Sequence, residues 1–238
     1  MGIRRGPSIV TEKLVYAIDV ANSDSYVSGS TSLDNQITTQ NNGVVTNGVG
    51  FDDANGGSLD FDGADDYIEL GSIDSSNPLS LYGQTEFSID MWLKPDYTGD
   101  DYQRVIDKSN SGSGANGWSI TYPRPSNKNF YFFIDGVQLL SYIDSSADGN
   151  WRNFILTRNG NITKLYINST LVDTETIAKT VTNDTTDMRI GSWNHSTGRE
   201  YNGKISNIKI YHKELSSTEV LQNYNALKPR FGLWDLGQ

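Results

Sequence analysis

The strongest constraint on the fold is one short run. Phe87, Ile89, Met91 and Leu93 alternate with Glu86, Ser88, Asp90 and Trp92, and Pro95 ends the series. A period of two sends neighbouring side chains to opposite faces, so the run is a β-strand with one apolar face. The first set turns to a core. The second faces outward or into a concave groove.

Similar segments recur along the chain. Leu14–Asp19 reads as the first strand, after a polar arm over residues 1–12. Residues 20–50 are rich in Gly, Asn and Thr and read as a long loop with a short strand at Gly43–Thr46. Ser58–Phe61 and Tyr67–Leu70 flank the turn Asp62-Gly63-Ala64-Asp65 and read as a hairpin. Strands follow at Arg104–Lys108, Trp118–Tyr122, Phe130–Asp135 and Val137–Ile143. Asp135-Gly136 is a two-residue hairpin turn. Asn159-Gly160-Asn161 joins Trp151–Arg158 to Ile162–Asn168, and Leu171–Glu175 and Met188–Gly191 come next.

The last strand, Lys204–Tyr211, carries Ile208 and Ile210 on one face, while Ile205 breaks the alternation and predicts a bulge. Ser216-Ser217-Thr218-Glu219 is a capping box. The helix behind it places Val220, Leu221, Tyr224 and Leu227 on one stripe, and Pro229 stops it. About a dozen strands and one short helix predict an all-β fold: a two-sheet antiparallel jelly-roll sandwich. The expected division is an arm over 1–12, a sandwich over 13–227 and a tail over 228–238.

Composition removes several function classes. The net charge of −10 argues against nucleic-acid binding, which needs a basic surface. The absence of cysteine excludes disulfides, thiolate catalysis and cysteine-ligated zinc. His195 and His212 are the only histidines, too few for a multi-histidine metal site. No apolar run is long enough to predict membrane insertion. The N-terminal MGIRRGPSIV has no apolar h-region, so no Sec leader is expected.

Several segments, in order, resemble the laminin-G-like branch of the concanavalin A-like lectin/glucanase superfamily. They are Gly57-Ser58-Leu59-Asp60-Phe61-Asp62-Gly63 with Asp65-Asp66-Tyr67-Ile68, and Phe87 through Pro95. Trp151, Leu156 through Gly160, Lys164 through Asn168, Ile190-Gly191 and Tyr201 through Leu215-Ser216 complete the set. The resemblance implies a jelly roll of two curved sheets. The opening Gly2 through Val10 and the closing Leu221 through Leu227 with Arg230 through Leu233 are similar to laminin-G-like proteins of tailed marine phages. This implies a virion component made in the host cytoplasm, a capsid decoration, fibre or adsorption protein, whose partners are other virion proteins and cell-surface glycans. Arg4 and Arg5 of the arm and Phe231, Leu233 and Trp234 of the tail are the expected docking residues. The alternative for the apolar tail is that it lies back along its own sandwich.

The superfamily includes glycoside hydrolases with acidic residues alternating on one strand. The nearest match here is Glu86-Ser88-Asp90, with serine in the middle. Four residues at about 3.3 Å each put Glu86 and Asp90 roughly 13 Å apart, whereas a glycosidase pair sits about 5–9.5 Å apart. A non-enzymatic chain is expected. For a cofactor, Asp62, Asp65 and Asp19 are the expected Ca²⁺ ligands, since hard oxygen donors from turns suit that ion and the resemblance implies one. The competing assignment is turn capping. Ser206 and Asn207 stand where the family pattern often has acidic residues. The expected sugar-binding residues are Trp193, His195, Trp118, Tyr122 and Trp92, because flat aromatic faces beside amides and carboxylates suit carbohydrate. Packing between the sheets is the competing assignment, and is favoured for Trp92 and Trp151.

Overall fold

A computed structural model describes residues 8–110, 116–182, 185–194 and 197–233. In chain order the strands are β1 Leu14–Asp19, β2 Ser32–Leu33, β3 Gly43–Thr46, β4 Gly50–Asp52, β5 Ser58–Asp62, β6 Tyr67–Ile73, β7 Glu86–Pro95 and β8 Arg104–Lys108. Then come β9 Trp118–Thr121, β10 Asn129–Ile134, β11 Val137–Ile143, β12 Arg152–Asn159, β13 Ile162–Ile167, β14 Thr170–Thr176, β15 Thr186–Ile190 and β16 Asn202–Tyr211. One helix, α1 Ser217–Leu227, is followed by a 3-10 turn at Lys228–Phe231.

The strands form two antiparallel sheets of eight. The helix-side sheet runs β14-β13-β12-β7-β16-β5-β4, with β1 also paired to β16. The opposite sheet runs β11-β10-β9-β8-β15-β6-β3-β2. Phe87, Ile89, Met91 and Leu93 are fully buried and belong to the core between the sheets, where Ile106, Ile120 and Phe132 also lie.

The bulge in the last strand is where its sequence places it. Ile205 opposes Leu93 and Asn207 opposes Trp92, so Ser206 is the extra residue. The predicted Ser58–Leu70 hairpin does not form. β5 pairs with β16 and β4, while β6 pairs with β15 and β3, so the aspartate-rich turn carries the chain from one sheet to the other.

Apart from the exposed Glu86, the second set of β7 faces neither solvent nor a groove. Ser88, Asp90 and Trp92 are fully buried beneath α1, the chain leading into it, and the 3-10 turn. The Ser88 hydroxyl donates to the Lys213 carbonyl at 2.8 Å and accepts from the Leu215 amide at 2.9 Å. Asp90 accepts from the Asn153 amide at 2.7 Å and the Asn223 amide at 2.9 Å. Both halves of the capping box form at Ser216 and Glu219. The buried side of α1 is Val220 and Asn223, with Tyr224 and Leu227 packed beside them. Leu221 is 46% exposed, so it lies off the expected stripe.

Candidate ligand-binding face

The outer surface of the opposite sheet is assembled by strand register. Arg189 of β15 opposes Glu69 of β6 on one side and Asp107 of β8 on the other, and Asp107 opposes Ser119, which opposes Phe133. A second row joins Arg104, Thr121, Tyr131 and Ser141. Directly opposed residues share a face, but Arg104, Asp107, Ser119 and Thr121 are fully buried on it and form the floor under the more exposed groups.

Rings and guanidinium groups alternate across it. The Arg189 guanidinium lies 4.0 Å from the Tyr67 ring centroid and its Nε donates to Glu69 at 2.7 Å. Arg189 also reaches the Trp193 carbonyl, which ties that loop to the sheet. Trp193 is half-buried, with Arg199 4.6 Å over its ring. Arg199 lies 5.8 Å and Arg124 4.5 Å from the Tyr102 ring, and Tyr102 stacks on Tyr131 at 5.8 Å. Such cation–π contacts hold flat groups in place.

Glu69 and Asp107 are two strand spacings apart, about 10 Å. Both carboxylates are engaged by groups of the chain itself. Glu69 is committed to Arg189, and Asp107 is fully buried, hydrogen-bonded to Arg104 at 3.0 Å and to the Ser109 hydroxyl at 2.8 Å. Burial pushes the Asp107 carboxyl up to about 7, against the pull of Arg104 and Ser109. The other acidic pair, Glu86 and Asp90, is split: Glu86 is exposed and Asp90 is enclosed under α1.

Of the five aromatic residues expected to meet a ligand, Trp193 lies on this face and His195 is outside the described residues. The other three are corrected by burial. Trp118 sits in the core, its indole N–H donating to the Leu79 carbonyl at 3.0 Å. Tyr122 is fully buried, with its hydroxyl on Asp144 and Tyr97. Trp92 is stacked under Phe231 and Tyr224, with ring centroids 4.1 and 5.8 Å away. Tyr102, Tyr131, Arg124 and Arg199 were not singled out in the sequence, because only the register and the loop at residues 100–104 bring them beside Trp193.

The expected docking residues are corrected in the same way. Phe231 fills the slot between Trp92 and Trp151, and Leu233 packs against the same cluster. Arg230 donates to Asp19, to the Asn55 and Gly57 carbonyls and to Ser206. The tail therefore lies back on its own sandwich as far as Leu233. Arg4, Arg5 and Trp234 are outside the described residues.

For the metal, Asp62 and Asp65 come together with Asp66, the third aspartate of the same turn. Their carboxylate oxygens lie within 4.8 Å of one another, a spread compatible with Ca²⁺–oxygen distances of about 2.3–2.6 Å. Burial and the neighbouring Asp62, Asp65 and Asp60 raise the Asp66 carboxyl above its ordinary value, and a cation would relieve that repulsion. Two of the oxygens already serve the turn, accepting from the Asp62 and Ala64 amides. Asp19 is not part of this group; it is the ion-pair partner of Arg230 at 2.6 Å.

The fold is shared with solved structures of low sequence identity. Domain 4 of AbnA, an extracellular arabinanase from Geobacillus stearothermophilus solved with arabinotriose, superposes with a TM-score of 0.64 at 16% identity, over 89% of this chain and 98% of that one. The binding domain of Paraclostridial Mosquitocidal Protein 1 gives 0.68 at 16% identity, over 90% and 52%. Trypanosoma rangeli sialidase in complex with sialic acid gives 0.65 at 13% identity, over 93% and 34%. The chain thus spans about half the length of the second of these structures and a third of the third. No curated protein matches the sequence significantly. The family profile matches residues 62–221, more than half of the chain. With the two-sheet architecture and its register established, the chain belongs to the concanavalin A-like lectin/glucanases superfamily.

Proposed function

We propose that this chain is a non-catalytic carbohydrate-binding domain that takes a glycan on the outer face of the opposite sheet. The observation that carries this reading is the row of half-buried rings and guanidinium groups through Trp193, Arg199, Tyr102 and Arg124. Phenolic hydroxyls and forked guanidinium N–H donors are groups that recognise sugar hydroxyls. Carboxylates held by arginines on the same face favour binding over hydrolysis. The relatives solved with arabinotriose and sialic acid are consistent with it. The sequence style of the two chain ends extends the proposal to display on a phage particle, as a decoration, fibre or adsorption component. A free-standing binding module is the alternative setting.

A glycan array followed by calorimetry tests the reading. Trp193→Ala and Tyr102→Ala should each weaken the best ligand at least tenfold while reducing-sugar release stays at background. Turnover of the bound glycan would replace the proposal with a hydrolase. Repeating the titration with Ca²⁺ and with EDTA, in wild type and in Asp65→Asn, tests Ca²⁺ at the aspartate turn. A Ca²⁺-dependent rise in melting temperature that Asp65→Asn removes is the expected signature of occupancy.

A further inference from the structure

The helix-side sheet ends in a groove that the face described above does not use. Cavities of about 420 and 280 Å³ adjoin there, and Lys94 lines both. The larger is in the size range of small-ligand sites, about 300–1,000 Å³. Tyr97, Thr98 and Asn202 line the first, and Asn150, Arg152 and Asn168 the second.

The placement of Lys94 is costly. Register sets it directly opposite Lys204 on the neighbouring strand, and like charges so placed destabilise a sheet. Lys204 is neutralised by Asp52 and Asp60, and Arg152 by Asp144. Lys94 is half-buried and has no ion-pair or hydrogen-bond partner among the described residues. Asp52 feels the Lys94 charge only at a distance, so the Lys94 side chain is left to pair with an anion that enters the groove.

We propose that this groove is a second carbohydrate subsite, selective for a sugar bearing a single carboxylate, with Lys94 as the residue that reads the charge. Its location is independent of the sheet-face reading. Amides and hydroxyls surround the cation. Asn168 uses its carbonyl oxygen on the Asn153 amide and keeps its NH₂ to donate to a sugar hydroxyl. Asp60, Asp96 and Asp148 stand on the rim, so polyanions such as heparin are repelled while one buried carboxylate is accepted.

Calorimetry with glucuronate, N-acetylneuraminate, glucose and heparin tests the proposal on wild type, Lys94→Gln, Lys94→Glu and Trp193→Ala. At least one of the two carboxylated sugars should bind wild type, more weakly as salt rises, with glucose and heparin much weaker. Loss of a charge-assisted hydrogen bond should reduce affinity about tenfold or more in Lys94→Gln, and Lys94→Glu should abolish it. Trp193→Ala should bind the acid sugar as wild type does. Lys94→Gln should melt no lower than wild type, since it removes a repulsion, which separates lost binding from lost folding. Unchanged affinity in Lys94→Gln, equal binding of glucose, no binding by either acid sugar, or loss of binding in Trp193→Ala would each overturn the assignment.

Discussion

Asp107 is the residue whose environment departs furthest from what its sequence neighbours imply. In Arg-Val-Ile-Asp-Lys it reads as one polar position of a strand. In the fold it is fully enclosed, and burial raises its carboxyl to about 7 despite Arg104. In the unfolded chain an aspartate titrates near 3.9. Between those values the folded chain holds a proton that the unfolded chain has lost, so stability falls as pH rises from about 4 through 7. Urea unfolding across this range should show that slope, and Asp107→Asn should flatten it. The five tryptophans make the matching point about legibility. Trp118 and Trp193 lie in similar polar-rich segments, and Trp92 stands among the polar positions of β7. What separates them is whether another element lies over them, and no local pattern encodes that.

At the scale of elements, the segments with a strict local rule were readable. β1, β3, β8 and β11 keep the bounds their patterns predict. So does the turn at Asp135-Gly136, where both residues take positive φ, 46° and 76°, as a two-residue hairpin of this type requires. The aspartate turn was misread because Asp-Gly signals a reversal without stating which sheet receives the next strand. Pairing of β5 with the ten-residue β16 decided that. Helix α1 shows the same division. Its cap is local and was legible, but its docking depends on Asn223, a polar residue inside an apolar stripe. Asn223 accepts from the Val10 amide at 2.8 Å and donates to Asp90 at 2.9 Å and to the Tyr211 hydroxyl at 3.0 Å. Asn223→Ala removes three buried hydrogen bonds and leaves the Val10 amide without its acceptor, while Asp90 keeps Asn153 and Lys209 and the Tyr211 hydroxyl keeps the Val10 carbonyl. The substitution should cost about 2 kcal/mol. Leu221→Ala, on the exposed side, should stay within about 0.5 kcal/mol. Chemical denaturation of the two variants measures the contrast. Equal losses would mean the helix docks by apolar contact alone.

For the whole molecule, the first and last described segments converge on one side of the sandwich. Val10 is buried against α1, and the segment after the helix covers Trp92 and Trp151. The outer face of the helix-side sheet is thereby turned into a second, smaller core. Removing residues 229–238 should therefore act as a core deletion and not as the trimming of a free tail. It takes away the Phe231 ring, a loss that costs about 3–5 kcal/mol at fully buried positions, and somewhat less here because Phe231 retains 8% exposure. It also leaves Asp19 without Arg230. Calorimetric melting should drop by several degrees and a hydrophobic dye should bind the uncovered Trp92–Trp151 slot, while glycan affinity at Trp193 is retained below the lowered transition. Phe231→Ala alone should reproduce most of the drop. If the truncated chain melted as the full chain does and took up no dye, the segment would be a detachable peptide, available to dock on another chain.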